Sequence, residues 1–270
     1  MFYSSYKFSN IYKYFLNKLK NNYQYDIDCR DLKTYELLNI NFLLKNPINC
    51  LYYNKRRSSQ LDYIIAELQW YFSGRNDLDF IKKYAKFWEQ ITNKDNTINS
   101  AYGFLLFNKK NEYNYTQYKW AINSLIKDKN TRQAIMFFNQ PAYQYDDNKD
   151  FICTLHAWFY IRDNKLNMNI CMRSSDIILG LPTDVPFFCL LQQQVFLHLK
   201  ETYKDLQLGV YNHSSYSLHI YEKHFKLLNE ILENDFLNKQ MILKENIINI
   251  NGEYLNKNIE KCIEYEHRHI

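Results

Sequence analysis

Residues Cys153–Val185 read CTLHAWFYIRDNKLNMNICMRSSDIILGLPTDV. Two β-rich runs, 153–162 and 165–172, form a hairpin. Arg173-Ser174-x-Asp176 follows, then Gly180-Leu-Pro-x-Asp184, then the apolar helical stretch 187–201. A cysteine opening one strand and an arginine at the far end of the next are brought together by the hairpin. A guanidinium beside a thiol favours the thiolate, which is the nucleophilic form. The combination suits a reaction in which the thiolate of Cys153 attacks a ring, Arg173 holds a phosphate on the same molecule, and an acid reads the ring edge.

The remaining chain supplies the setting. It has 270 residues, 46% of them hydrophobic, enough for one large globular domain over residues 1–270. No apolar run reaches the ~18 residues of a transmembrane helix. The N-terminal MFYSSYKFSNIYKYF lacks the pattern of a secretory signal. A soluble cytoplasmic protein is therefore expected, in a host cytoplasm if the Asn-, Lys- and Ile-rich usage is that of a virus. The net charge is +5, with basic residues spread along the chain. That argues against a nucleic-acid groove and suits small phosphorylated anions. The six cysteines make no C-x-x-C pair, so neither a metal site nor a redox motif is expected.

Along the chain, residues 1–30 suggest a helix and then an extended entry, and 34–43 a strand. Helices are expected over 58–73, 77–91, 114–128, 187–201 and 222–236. Further strands are expected over 133–139, 206–213 and 217–221. No linker or repeat interrupts them. The expected fold class is α+β, a single domain with a large mixed β-sheet flanked by helices.

The motifs resemble the thymidylate synthase superfamily over residues 30 to 230, and the Cys153-Thr154 pair resembles the phage deoxycytidylate hydroxymethylases in particular. In the superfamily the cysteine is followed by His. The resemblance implies that Cys153 adds to C6 of a pyrimidine and makes C5 a carbon nucleophile. It implies phosphate contacts from Arg30 (in CRDLKTYELL), Arg173, Ser174 and Arg132 (in TRQAI), the last reaching across a homodimer into the partner's site. The family often has two arginines there, whereas Gln133 follows Arg132. Glu67, in IIAELQWYFSG, would manage protons through ordered water. His219 and Tyr221, in SLHIYEKH, would hold the sugar. Trp88 in KFWEQI, Asp176 and Gly180 would line the folate pocket and Tyr102 in SAYGFLLF the pocket of the catalytic cysteine, with 5,10-methylenetetrahydrofolate as cofactor.

Asp184 stands where thymidylate synthases usually carry Asn. An ionised carboxylate offers acceptors only, which fits the N4 amino group of cytosine and a protonated N3 better than the edge of uracil. A plainer role, capping or turning the chain after Pro182, is open to the same residue. The C-terminal EKCIEYEHRHI is polar, whereas thymidylate synthases end in a short apolar tail that closes over the folate. Without that lid, water would reach the methylene intermediate and leave a hydroxymethyl group. The expected activity is deoxycytidylate 5-hydroxymethyl transfer. Thymidylate synthase or deoxyuridylate hydroxymethylase is the alternative, and an inactive nucleotide- or RNA-binding relative the remote one.

Overall fold

The computed structural model describes residues 1–266; positions 267–270, the end of the polar C-terminal stretch, lie outside the described residues. The elements in chain order are β1 (Phe2–Ser5), α1 (Phe8–Asn21), β2 (Tyr25–Cys29), β3 (Leu32–Leu44), β4 (Leu51–Tyr53), α2 (Leu61–Phe72), α3 (Leu78–Ile81) and α4 (Phe87–Ile91). A π-helical turn at Phe104–Asn108 precedes α5 (Gln117–Lys127), β5 (Ile135–Phe137), β6 (Thr154–Arg162), β7 (Lys165–Asp176), α6 (Leu181–Thr202) and β8 (Gln207–Tyr221). Then come α7 (Phe225–Leu232), β9 (Leu237–Lys239), β10 (Met241–Leu243), α8 (Ile259–Cys262) and β11 (Ile263–Tyr265).

A seven-stranded mixed sheet runs β1-β3-β8-β7-β6-β5, with β2 also paired to β3. The β6–β7 hairpin is antiparallel, whereas β7 and β8 are parallel and joined through α6. One sheet face carries the core. Helix α1 turns Phe8, Ile11, Tyr12, Phe15, Leu16 and Leu19 onto it at three- and four-residue spacing. Helix α6 adds Val185, Phe188, Leu191, Val195 and Leu199. No helix of the described residues is long and apolar enough to cross a membrane.

A kink crosses the three central strands. On β8 the buried set runs Tyr211, His213, Ser215 and then changes parity to Leu218 and Ile220. On β3 it changes from Leu44, Phe42 and Ile40 to Leu37, and on β7 from Met168, Ile170 and Met172 to Ser175. The row at the change is Asn39, Tyr216 and Arg173, between the rungs Ile40–Ser215–Met172 and Leu38–Ser217–Ser174. Asn39 has φ 52°, a left-handed conformation that Asn tolerates better than most residues. Such an irregularity bends a sheet and re-aims side chains.

The structure differs from the sequence expectations in several places, three of which shape the central sheet and the site. The single long β8 replaces two segments, because the kink breaks the alternation without breaking the ladder. The expected helix 77–91 is two short helices separated by residues 82–86. Helix α6 begins at Leu181 rather than 187: it runs through Pro186, which lacks a donor, and so takes Asp184 into its first turn. Three consecutive buried glutamines on α6 also carry bonds. Gln192 donates to the carbonyls of Leu166 and Val210, Gln193 accepts from Leu243 N, and Gln194 accepts from Ile247 N. Buried amides are costly unless bonded in this way.

Gly103 packs directly on α2. A Cβ there would lie 1.6 Å from the carbonyl oxygen of Tyr71. Gly103→Ala should therefore destabilise the protein by about 3 kcal/mol or more, because backbone rather than a side-chain tip must move. Chemical denaturation of the two proteins measures it.

Candidate active site

The hairpin places Cys153 and Arg173 side by side. Arg173 N donates to the Cys153 carbonyl at 2.9 Å, and Arg173 Nη2 lies 3.5 Å from Cys153 Sγ. The guanidinium also donates to the carbonyls of Ile152 and Phe151 and lies 4.9 Å from the centroid of the Phe151 ring. Two faces of the fork are thus spent on the segment that presents the cysteine. Burial pushes the Cys153 thiol up, and Arg173 draws it back only in part. The guanidinium alone was expected to favour the thiolate; the thiol instead rests protonated, because desolvation outweighs the single neighbouring cation.

Downstream residues converge on the same cleft. Ser174 Oγ is 3.3 Å from His219 Nδ1, and the rings of His219 and Tyr221 meet edge-on at 5.2 Å. Burial pulls the His219 imidazole down, with Asp176 opposing. Asp176 accepts from the backbone N–H of Ile178 and Leu179 and closes the turn leading to Gly180. Gly180 caps α6; a Cβ there would come 3.2 Å from Asp184 Oδ2. Arg30 sits with Asp31 at the tip of the β2–β3 hairpin, both at positive φ. That is a strained conformation for such residues. The Arg30 guanidinium acts on the Tyr221 hydroxyl, and its charge reaches Cys153.

The opposite wall comes from α2. Glu67 is only 7% exposed. Tyr63 Oη donates to Glu67 Oε1 at 2.8 Å and Tyr71 Oη to the same atom at 3.3 Å. Trp88 Nε1 donates to Tyr63 Oη at 3.1 Å. Burial raises the Glu67 carboxyl from 4.5 to about 7, with the two tyrosines opposing. Tyr102 stacks on Tyr71 with ring centroids 5.3 Å apart, and its hydroxyl accepts from Thr154 Oγ1 at 2.9 Å. Asp184 feels the charges of Glu67 and Asp176, and burial pushes its carboxyl well up. The ionised Asp184 assumed from sequence is thus disfavoured in the free protein, first by burial and then by the two neighbouring acids.

Arg132 stands apart. It is exposed in the loop before β5 and makes no hydrogen bond or ion pair with the other candidate residues. Sequence reasoning missed two residues. Arg57 donates to the carbonyl of Ile178 at 2.9 Å, just after Asp176. Tyr63 joins Trp88 to Glu67 and also lines a cavity of about 790 Å³ with Leu61, Asp62, Lys83, Tyr84 and Tyr265. Tyrosines four residues on either side of a buried acid were a readable signal.

The thymidylate synthase family model matches residues 11–268. A deoxycytidylate 5-hydroxymethyltransferase of Enterobacteria phage T4 is 30% identical over 209 residues, covering 75% of this chain and 81% of the relative. A deoxyuridylate hydroxymethyltransferase of Bacillus phage SP01 is 28% identical over 186 residues, 66% of this chain and 48% of that relative. The solved thermostable thymidylate synthase A of Bacillus subtilis has the same fold, with a TM-score of 0.74 at 20% identity over 96% of this chain and 94% of that one.

Glu67 makes stability depend on pH. Its folded value of about 7 lies above the ordinary 4.5, so the unfolded chain sheds this proton first and stability falls as pH rises from 4.5 through 7. The difference, 7 − 4.5 = 2.5 units, corresponds to about 3 kcal/mol at ~1.4 kcal/mol per unit. Glu67→Gln cannot ionise. Relative to wild type it should gain stability across that window, up to ~3 kcal/mol at pH ~8 and little at pH ~5. Denaturation midpoints at both pH values test this.

Proposed function

The chain belongs to the thymidylate synthase family, and on that footing we propose that it is a deoxycytidylate 5-hydroxymethyltransferase, working with 5,10-methylenetetrahydrofolate as a homodimer. Its class is the pyrimidine-nucleotide C5 methyl- and hydroxymethyltransferases. The observation that carries the specific reading is Asp184, an acid at the wall shared by Glu67, Tyr102 and Cys153.

In this reading Cys153 is the nucleophile and adds to C6 of the ring. Arg173, Ser174 and Arg30 bind the phosphate, Arg173 through the Nη1 side that its carbonyl contacts leave open. His219 and Tyr221 hold the sugar. Asp184 in its protonated form, which burial favours, offers one donor and one acceptor. Its carbonyl oxygen accepts from N4–H of cytosine and its hydroxyl donates to N3. The Cys153 thiol would pass its proton to the Glu67 carboxylate through ordered water; as the sulfur bonds to C6, the Asp184 proton passes to N3, leaving a neutral adduct whose N3–H and N4–H both face the new carboxylate. Methylenetetrahydrofolate, when bound, supplies the one-carbon unit. The cavity beside Tyr63, lined also by Tyr84, Tyr265 and Lys83 and with Trp88 bonded to Tyr63, is roomy enough for its ring and tail. Asp176 and Gly180 would line the pterin side. Glu67, with a value near neutrality, is suited to exchange protons there.

A second reading, deoxyuridylate as substrate, is favoured by the same protonated Asp184. Its hydroxyl can donate to O4 of uracil while its carbonyl oxygen accepts from N3–H. Uracil, however, gives the acid no basic nitrogen to protonate. The homodimer is supported by the second sheet face, which no helix of the described residues covers. Phe2, Phe137 and Tyr216 stand on it 62%, 49% and 52% exposed, beside the stacked Trp158 and Tyr160. Exposed apolar patches of this kind mark interfaces. Arg132 lies at the β5 edge of that face, free to reach a partner.

A product assay with deoxycytidylate and deoxyuridylate side by side tests the reading. Wild type should prefer deoxycytidylate in kcat/KM. Asp184→Asn should shift preference toward deoxyuridylate by about one to two powers of ten, the size of one mispaired buried group. A wild type that prefers deoxyuridylate overturns the substrate.

Two further variants test the nucleophile and the shared site. Cys153→Ala should lose turnover and still bind nucleotide, because phosphate and sugar contacts remain. Mixing it with inactive Arg132→Ala subunits should restore part of the activity, since some heterodimers hold one intact site. Verified subunit exchange without recovery would remove Arg132 from the neighbouring site.

A further inference from the structure

Glu67 sits between two tyrosines on successive turns of α2, and they are held very differently. Tyr71 is 3% exposed, stacked on Tyr102 and packed 4.7 Å from the ring of Phe187. Its bond to Glu67 is also the longer of the two, 3.3 Å. Tyr63 makes the shorter bond, 2.8 Å, and its hydroxyl is fixed from behind by Trp88 Nε1 at 3.1 Å. The hydroxyl has one proton and accepts one bond from the indole, so that proton is directed at the carboxylate. Tyr63 also lines the 790 Å³ cavity.

We propose that Tyr63 is a positioning residue for the reaction: clamped between Trp88 and Glu67, its hydroxyl orients the Glu67 carboxyl and governs the pH at which that group exchanges its proton. This rests on the reading that Glu67 handles protons during catalysis. A donor to the carboxylate favours the ionised form, and Tyr63 is the larger of the two hydrogen-bond influences opposing burial. The other ionisable groups facing this point are Tyr71 on α2, Asp184 from α6 and Tyr102 from the segment before the π-helical turn, with Asp62 and Lys83 on the cavity side. None of them donates to Glu67 at so short a distance, and Asp184 as an acid opposes ionisation rather than aiding it.

The experiment is a pH–rate profile of kcat on the full chain with nucleotide and methylenetetrahydrofolate, for wild type, Tyr63→Phe, Tyr71→Phe and Glu67→Gln. Glu67→Gln should delete one ionisation from the profile. Tyr63→Phe should move the midpoint of that ionisation upward by about one unit, a tenfold change in the proton equilibrium, and Tyr71→Phe by less. The direction is the same whether the rate requires the acid or its conjugate base. Infrared difference titration of the carboxyl band, with wild type and Tyr63→Phe free of ligand, should give the same upward movement without reference to activity. If Glu67→Gln deletes the ionisation while Tyr63→Phe leaves it unmoved, the proposal is overturned and the role of Glu67 stands. If Glu67→Gln keeps it, the role of Glu67 falls and the proposal with it. Should Tyr63→Phe fail to fold, 3-fluorotyrosine at position 63 keeps the clamp with a stronger donor. The midpoint should then move downward, and an unmoved midpoint overturns the proposal.

Discussion

Arg173 is the tie on which the site depends. Its backbone N–H closes the β6–β7 ladder onto Cys153, while its guanidinium gathers the carbonyls of Phe151 and Ile152. A charged donor serving neutral acceptors makes a stronger bond than an amide would. The segment that delivers the cysteine is therefore fixed by a residue 20 positions away in sequence. Arg173 can do this because it stands in the kinked row with Asn39 and Tyr216. In a regular strand its side chain would follow the alternation of its neighbours. The parity change frees residues 173 and 174 from both the core and the open face, and turns them toward the cleft.

One cation cannot balance what is buried around it. Burial raises Glu67, Cys153 and Asp184 alike, and Asp150 with them. Burial thus favours the protonated form of each of these groups. In the proposed reaction this has a use. The thiol must lose a proton when it adds to the ring, and the ring nitrogen must gain one. A site that holds its acids neutral until substrate arrives keeps both events inside the desolvated cleft, where they need no bulk water. The phosphate brings its own negative charge, which Arg30 at the strained hairpin tip is placed to meet.

The local parts of this arrangement were legible in the sequence. The hairpin, the spacing of Glu67 on an apolar helix and the His219–Tyr221 pair are short-range patterns, and each element formed where its period indicated. Elements whose limits depend on distant partners were less legible. Pro186 reads as a helix boundary, yet α6 runs through it because Val185 and Phe188 on either side are buried in the core. The triple glutamine is interior because distant segments supply its partners, Leu166 and Val210 for Gln192 and the 241–247 segment for Gln193 and Gln194. Tyr63 was passed over for the same reason. Its meaning comes from Trp88, which lies on another helix.

Base recognition shows where residue identity stops being sufficient. Asp against Asn looks like a choice between two acceptors and an amide, and the substrate seems to follow from it. The structure adds a second variable, the proton. A buried Asp184 that keeps its proton presents one donor and one acceptor, the same inventory as the amide it replaces. What separates the two is that the acid can give the proton away and the amide cannot. Only a ring with a basic nitrogen facing it, as cytosine has and uracil lacks, can take advantage of that. In the proposed reaction the discrimination would therefore lie in the packing that buries Asp184 and favours its protonated form as much as in the carboxyl itself. That packing is assembled from α2, the segment before the π-helical turn and α6, three stretches that no local reading joins.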